Sequence, residues 1–388
     1  MNILVQLSHP AHFHLYKNAI LNYKNDGHQV FVLIKSKDIL ENLLKNAGIE
    51  YYNILPLAHR GSKLGILWDM IVRDWRIVRF CIKHSIDTLT GSTPEVAHAA
   101  WLLNLKSVNT TEDDAAVIGA VVKAVQPFVK CMLAPIPCMM GSIETHTIHY
   151  PSYHELAYLH PNHFTADKAV VEGYGIDTTK PYFVLRFASL NAHHDDGIHG
   201  INTEIAQRLI DILSPHGQIY ITSERELEPQ FEPYRIRINP LDMHHVMAFA
   251  SLYIGDSQTM AAEAGVLGTP FVRFNDFVGR IGYLRELEDV YQLGYGIHAT
   301  PLTEESTIRR NDGSLQPSGV EALYQAVENL VAMPAEERRQ IFAARREKML
   351  SEKIDYAKFL TWFIENYPES QQQTRENQNN DAFWVQFK

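Results

Sequence analysis

The residues best equipped for chemistry lie between Tyr253 and Phe274, in YIGDSQTMAAEAGVLGTPFVRF. Asp256, Ser257, Gln258 and Thr259 form a polar turn before a small-residue run, Met260–Leu267, which reads as a helix stopped by Gly268-Thr269-Pro270. The first turn of a helix has unpaired backbone N–H groups and a partial positive charge, so hydroxyls placed there point to phosphate. Glu263 stands six residues beyond Ser257, roughly 9 Å along a helix axis at about 1.5 Å per residue. That is the reach from a bound diphosphate to a ribose, whose two hydroxyls suit a carboxylate acceptor. The competing reading is a Ser257 that only caps the helix and a Glu263 that is only a solvated helix residue.

A second set is SHPAHFHLY, with Ser8, His9, His12 and His14. His9 and His12 share a helical face, whereas His14 points elsewhere. No cysteine or acid lies nearby to complete a metal site. A histidine on the loop after a first strand is better read as a base or a phosphate partner, against the plainer reading of a helix cap. A third set follows the run Tyr182–Phe187: Arg186, then Asn191, His193 and His194 in SLNAHHDDGIHG, all types that hold phosphate or sugar. His193, His194, Asp195 and His199 also have zinc-ligand types; the phosphate reading is preferred, and no metal or other cofactor is expected. Ser223 after Gln218–Thr222, and Asn275 after Phe271–Phe274, complete the candidates.

These residues need strands and helices to hold them. Asn2–Leu7, Ala11–Asn25, His28–Ile34, Lys37–Asn46 and Tyr51–Leu55 alternate as strand and helix, followed by strands at Asp87–Gly91 and Ser107–Thr111. The pattern restarts with Tyr182–Phe187, helix Ile201–Leu213, Gln218–Thr222, a strand at Ile236–Asn239, helix Asp242–Ala250, the opening stretch and a helix Arg280–Leu293. The expected fold class is α/β, two doubly wound Rossmann-like domains facing a cleft, with every candidate loop leaving the carboxyl edge of its sheet. The domains are expected at 1–165 and 175–350, with a helix at 352–367 crossing back to the first. In the polar tail 368–388, the glutamine- and asparagine-rich Pro368–Asn380 reads as disordered, and the apolar Phe383-Trp384-Val385 reads as a segment that docks at a site the sequence does not name. The helix Leu64–Lys83 repeats Leu67, Met70, Ile71, Trp75 and Val78 near helical spacing, which reads as a core face. Lys63, Arg73, Arg76, Arg79 and Lys83 make it basic, and the alternative is a surface that meets an anionic lipid or a lipid-linked acceptor.

The chain has 388 residues and a net charge of −10, a balance that argues against non-specific nucleic-acid binding. Cys81, Cys131 and Cys138 are odd in number and have no metal-site spacing, which suits a reducing cytoplasm. Met1–Leu7 has no basic region before it, so no signal peptide is expected. The apolar stretch Ala115–Met140 is broken by Lys123, Pro127 and Lys130, and no transmembrane segment is expected.

GDSQTMAAEAGVLGTP resembles the nucleotide-diphosphate segment of GT-B-type glycosyltransferases and of the hydrolysing UDP-N-acetylglucosamine 2-epimerases. The epimerase pattern matches at Asp256, Ser257 and Glu263, with Gln258 and Thr259 replacing its two glycines. AHFHLYKNAI is similar to the glycine-histidine loop of the glucosaminyltransferase that makes lipid II; the loop histidine falls on His12, and Pro10 and Ala11 replace glycines. Through SHPAHFHLYKN, RFASLNAHHD and GDSQTMAAEAGVLGTP, the chain resembles an uncharacterised prokaryotic family of GT-B-like proteins over about residues 1–300.

The resemblance implies nucleotide on the second domain, with Asn239–His244 contacting the base, and acceptor on the first. There His12 is the catalytic base, with His9 and Glu112 beside it. The expected function is a GT-B-type glycosyltransferase using a nucleotide-diphosphate sugar, UDP-linked and without metal. The expected setting is cell-surface polysaccharide or glycolipid synthesis, in the cytoplasm or peripheral at the inner membrane face. The alternatives are a sugar-nucleotide 2-epimerase-like enzyme and a non-catalytic nucleotide-sugar binder. Transfer is preferred because Gly91-Ser92-Thr93 puts a serine where the epimerase family carries an aspartate, and a serine does not replace a carboxylate base. That family's next glutamate falls near Thr111 or Glu112.

Overall fold

The computed structural model describes residues 1–35, 39–55, 63–187, 199–223, 225–303 and 306–388. The chain divides into two compact units, Met1–His163 with Lys353–Lys388, and Phe164–Glu352.

The apolar runs of the first unit are β1 (Asn2–Leu7), β2 (Gln29–Lys35), β3 (Tyr52–Leu55), β4 (Thr88–Gly91), β5 (Lys106–Thr110), β6 (Met132–Pro135) and β7 (Thr147–Tyr150). They pair in parallel as a seven-stranded sheet in the order β3-β2-β1-β4-β5-β6-β7. A parallel sheet is covered on both faces, which is why Ile3, Leu4, Val5 and Leu7 are all fully buried. The order turns back between β1 and β4, which opens a crevice at their carboxyl ends.

In the second unit β8 (Tyr182–Phe187), β9 (Gln218–Ser223), β10 (Leu252–Gly255), β11 (Phe271–Phe274) and β12 (Gly294–Ile297) form a five-stranded parallel sheet, ordered β12-β11-β10-β8-β9. Its switch point lies between β8 and β10. The expected strand at Ile236–Asn239 is not formed: only Arg235 bridges to Ile221, on the outer edge of β9. Pro233 and Pro240 bracket the segment and remove ladder donors, leaving too little chain to pair. The expected helix Arg280–Leu293 is a single turn, Gly282–Arg285, that widens into a π-turn over Glu286–Val290.

The helix Tyr356–Glu365 belongs to the first unit and packs on the helix Pro10–Asn25. Asn22 Nδ2 donates to Thr361 Oγ1 at 3.1 Å, and the Tyr23 hydroxyl to the Leu360 carbonyl at 3.3 Å. Reading Pro368–Asn380 as disordered needs correction, whereas the apolar Phe383-Trp384-Val385 does dock. Helices form at Glu369–Glu376 and Asp381–Val385, because Trp384 packs on Phe359 at 5.5 Å and Phe387 on Trp362 at 5.0 Å between ring centroids. Two buried aromatics anchor an otherwise polar segment.

The helix Lys63–Lys83 also differs from its expected packing. Ile77 and Cys81 enter the core with Leu4, Leu33 and Leu89, and Val78 packs beside them. Ile71 and Trp75 lie on the opposite side, 49% and 56% exposed, with Trp68 and Ile82.

Candidate functional site

The carboxyl edge of the second sheet is built by close approach. Gly255 ends β10, and a Cβ there would lie 2.5 Å from the Tyr253 hydroxyl and 3.0 Å from Arg186 Cβ, so the chain can turn here only with glycine. Arg186 stands directly across from Gly255 on β8, at the switch point. The helix Gln258–Leu267 starts at once, with Ser257 as N-cap accepting from the Met260 N–H at 3.4 Å. Its Ala261, Ala262, Ala264 and Gly265 are buried, and a Cβ on Gly265 would sit 2.9 Å from the Phe271 ring. Small residues thus let the helix lie against the sheet.

Glu263 is not solvated. It is 5% exposed, and His244 Nε2 donates to its Oε1 at 2.9 Å across a sequence separation of 19. Two residues chosen independently from the sequence are therefore one buried pair. Gln258 Oε1 is buried and accepts no hydrogen bond among the described residues; Thr259 follows it in the first turn. Asp256 is buried and accepts from the Ile201 N–H at 3.4 Å.

Two other candidates serve the loops. Asn275 is fully buried with both ends of its amide engaged, donating to the Asp256 carbonyl at 2.8 Å and accepting from the Phe277 N–H at 2.9 Å. Ser223 donates to the Arg225 carbonyl at 2.7 Å and accepts from its N–H at 3.2 Å, closing a turn. Asn191, His193, His194 and Asp195 lie outside the described residues. Among the described residues no cluster of three or more His, Cys, Asp or Glu side chains is placed to hold a metal ion.

The sequence reading named His199 only among residues of zinc-ligand type, and missed Asp276 and His298 as site residues. Asp276, 5% exposed, accepts from the His199 N–H and from His199 Nδ1, both at 2.8 Å, and from the Thr300 N–H at 2.7 Å. Burial alone would raise its pKa, but the backbone donors of His199 and Thr300, with their side chains, hold it below the ordinary aspartate value. An acid directly after a strand was the only signal, and Asn275 beside it drew the attention instead.

At the carboxyl edge of the first sheet, the Ser8 N–H donates to His12 Nδ1 at 3.3 Å, with Ser8 Oγ 3.4 Å from the same nitrogen. A nitrogen that accepts from a backbone amide carries no proton, so neutral His12 has its proton on Nε2. His9 is the N-cap of the Pro10–Asn25 helix, its Nδ1 accepting from the Ala11 N–H at 3.2 Å. Glu112 Oε2 lies 3.2 Å from His154 Nδ1, and the His154 ring stacks on Tyr356 at 5.4 Å. Burial, and then the charge of His12, push the His154 pKa down to about 3, so this imidazole is neutral at physiological pH. His12, Glu112 and His154 are thereby brought into one neighbourhood. His154 was missed because Tyr150–Ala169 reads as a connection between domains. Beneath them runs a hydroxyl chain: Tyr16 to Thr90 at 2.9 Å and to Thr110 at 3.2 Å, and Thr110 to Ser92 at 3.0 Å.

No protein-family model matches the chain, and no curated protein matches it. Solved structures do. The spinosyn rhamnosyltransferase SpnG complexed with thymidine diphosphate is similar at a TM-score of 0.58 and 13% identity, over 93% of this chain and 99% of that one. The UDP-GlcNAc 2-epimerase from Neisseria meningitidis bound to UDP-GlcNAc is similar at 0.55 and 11% identity, over 90% of this chain and 100% of that one. An S. aureus MnaA–UDP structure is similar at 0.62 and 11% identity, over 96% and 97%. With its parallel sheets of seven and five strands and flanking helices, the chain has the α/β fold of GT-B glycosyltransferases. The same architecture is shared by a UDP-GlcNAc 2-epimerase.

Proposed function

We propose that the chain is a GT-B-type glycosyltransferase that binds a nucleoside-diphosphate sugar on its second unit. The observation that carries this is the buried Glu263–His244 pair behind the Ser257-capped helix start, beside the switch point of the second sheet. The first turn, with Ser257 and Thr259, receives the diphosphate without a metal. Glu263, oriented by His244, is the carboxylate that accepts from the ribose. Gln258 Oε1 supplies a further acceptor. The neighbours' bound TDP, UDP and UDP-GlcNAc support a nucleotide of this kind, UDP-linked in the first instance.

On the first unit the proposed base is Glu112 in place of the expected His12: His12 Nδ1 accepts from the Ser8 N–H, which leaves neutral His12 an Nε2–H donor, and Glu112, next to the neutral His154, is the carboxylate that takes the acceptor proton. His9 acts through the helix start that it caps. Titration calorimetry with UDP-, TDP-, GDP- and ADP-linked hexoses tests the binding; no heat with any of them refutes it. Incubation of the best binder in deuterated water without acceptor tests the reaction, and deuterium at sugar C2 would replace transfer by epimerase-type chemistry.

The acceptor is proposed to be lipid-linked, in cell-surface polysaccharide or glycolipid synthesis, with the chain peripheral at the cytoplasmic membrane face. Supporting this, Trp68, Ile71, Trp75 and Ile82 form an exposed apolar stripe on the Lys63–Lys83 helix, and Arg79 lies 4.7 Å above the Trp75 ring. No helix among the described residues is long and apolar enough to cross a membrane. Equal sedimentation with anionic and neutral liposomes, or with neither, would overturn this placement.

A further inference from the structure

His98 joins three helices of the first unit. It stands on the helix Pro94–Leu103, is 8% exposed, and bonds both to the Lys63–Lys83 helix and to the helix Gly119–Val125. Its Nδ1 is 2.9 Å from Asp74 Oδ2, and its Nε2 is 3.0 Å from the Ala124 carbonyl oxygen. A carboxylate and a carbonyl only accept, so both ring nitrogens carry a proton and the side chain is an imidazolium. Asp74 Oδ1 is buried with no hydrogen-bond partner among the described residues, so the charge of this carboxylate is met at His98. The Phe128 ring packs T-shaped on the imidazole, 4.8 Å between centroids.

The Ala124 carbonyl lies in the last turn of its helix, where backbone donors run out. Pro127 has no N–H, and the Phe128 N–H goes to the Val125 carbonyl at 2.9 Å. His98 supplies the donor instead. This helix follows directly from the turn that carries Glu112. The Asp114 carbonyl accepts from the Val117 N–H at 2.8 Å and the Ile118 N–H at 3.3 Å, and the Ile118 carbonyl accepts from the Val122 N–H at 3.0 Å. A tether on Ala124 therefore restrains the helix into which the Glu112–Asp114 segment leads.

We propose that His98 is a proton-dependent latch: as the imidazolium it ties the helix downstream of Glu112 to the other two, and as the neutral imidazole it lets the end of that helix go. A neutral ring keeps one proton. It stays on Nδ1, because the Asp74 carboxylate is the stronger acceptor. Nε2 then turns a lone pair toward the Ala124 carbonyl oxygen, and an attraction becomes a repulsion. The tie to Lys63–Lys83 survives and the tie to Ala124 is lost. The latch is independent of what the second unit binds.

The charged groups around His98 are Asp74 and Arg73 on the Lys63–Lys83 helix and Glu95 on its own helix, with Arg73 Nε 2.7 Å from Glu95 Oε1. Lys123 on the Gly119–Val125 helix is exposed. β4 has no charged residue, and β5 has only Lys106, which donates to the Tyr367 carbonyl at 2.8 Å. Burial alone would lower the His98 pKa; the bonds to Asp74 and Ala124, with the charges of Asp74 and Glu95, outweigh it and raise the pKa above the ordinary histidine value. With the folded-state value raised, the latch is fully closed below about pH 6.5 and opens as pH rises through that folded-state value.

The experiment uses the full chain with isotope-labelled histidine. His98 is identified by the ring resonances lost in His98→Gln and moved in Asp74→Asn. Both of its ring nitrogens should be protonated at pH 6, with a midpoint above about 6.5 that falls in Asp74→Asn. Amide exchange over residues 122–129, corrected for the intrinsic rate, reads the latch itself. Protection there should drop about tenfold between pH 6 and pH 9 in wild type, the scale of one hydrogen bond from a charged group, while residues 70–78 keep theirs. His98→Gln, whose amide donates at any pH, should show no such drop. A neutral ring at pH 6, or an equal drop in His98→Gln, overturns the latch. Should His98→Gln not fold, wild type and Asp74→Asn decide: a wild-type midpoint at or below about 6.5, or protection lost over 70–78 before 122–129, overturns it as well.

Discussion

Glu263→Gln separates recognition from folding. Glu263 is 5% exposed and one oxygen is held by His244 at 2.9 Å. Glutamine keeps the volume and keeps an amide oxygen that still accepts from His244 Nε2–H, so stability should change by less than about 1 kcal/mol. What is lost is the carboxylate charge that the ribose hydroxyls are proposed to meet. A hydrogen bond to a charged group contributes roughly 1.5–3 kcal/mol, so nucleotide-sugar affinity should fall by about 10- to 150-fold at 1.4 kcal/mol per decade. Glu263→Ala adds a different cost. It leaves His244 Nε2–H buried without an acceptor, roughly 1–3 kcal/mol, which lowers Tm by about 2–4 °C per kcal/mol in a domain of this size. Calorimetric titration with the panel above, paired with thermal melts of both variants, reads both effects. An affinity for Glu263→Gln within twofold of wild type, at unchanged Tm, would refute the ribose assignment.

Two further predictions concern stability. The native His154 imidazole titrates at about 3 because of burial and then His12, below the ordinary histidine value near 6.5. The unfolded chain therefore binds the extra proton first, and this contribution is intact above about pH 6.5 and lost as pH falls toward 3, at about 1.4 kcal/mol per pH unit. Wild type should be about 2 kcal/mol less stable to urea at pH 5 than at pH 7.5, beyond the change shown by His154→Gln; identical pH profiles would sink this account. Arg273, fully buried, bonds Glu288 Oε1 through Nε at 3.0 Å and Nη2 at 2.8 Å. Glu288→Ala should cost roughly 3–5 kcal/mol by stranding that guanidinium, and Arg273→Met in the same chain should recover most of it; an undiminished loss in the double variant would point to packing instead.

The local patterns settle a good deal on their own. Apolar runs such as Ile3–Leu7 and Leu252–Gly255, separated by helical periodicity, already specify parallel sheets buried on both faces. Ser257 as a helix start and the alanines behind it follow from capping and side-chain size alone. What depends on distant partners was out of reach. Glu263 meets His244 from 19 residues away, and His199 meets Asp276 from 77. A helical repeat shows that a stripe exists but not which stripe is covered. On the Lys63–Lys83 helix, Ile77 and Cys81 are buried while Trp68, Ile71, Trp75 and Ile82 stay exposed. The tail repeats the lesson from the polar side, since Trp384 and Phe387 find Phe359 and Trp362 only after the chain has folded back on itself. Periodicity and capping act within a turn or two of the backbone, whereas burial and ion pairing are decided by whatever the tertiary fold brings alongside.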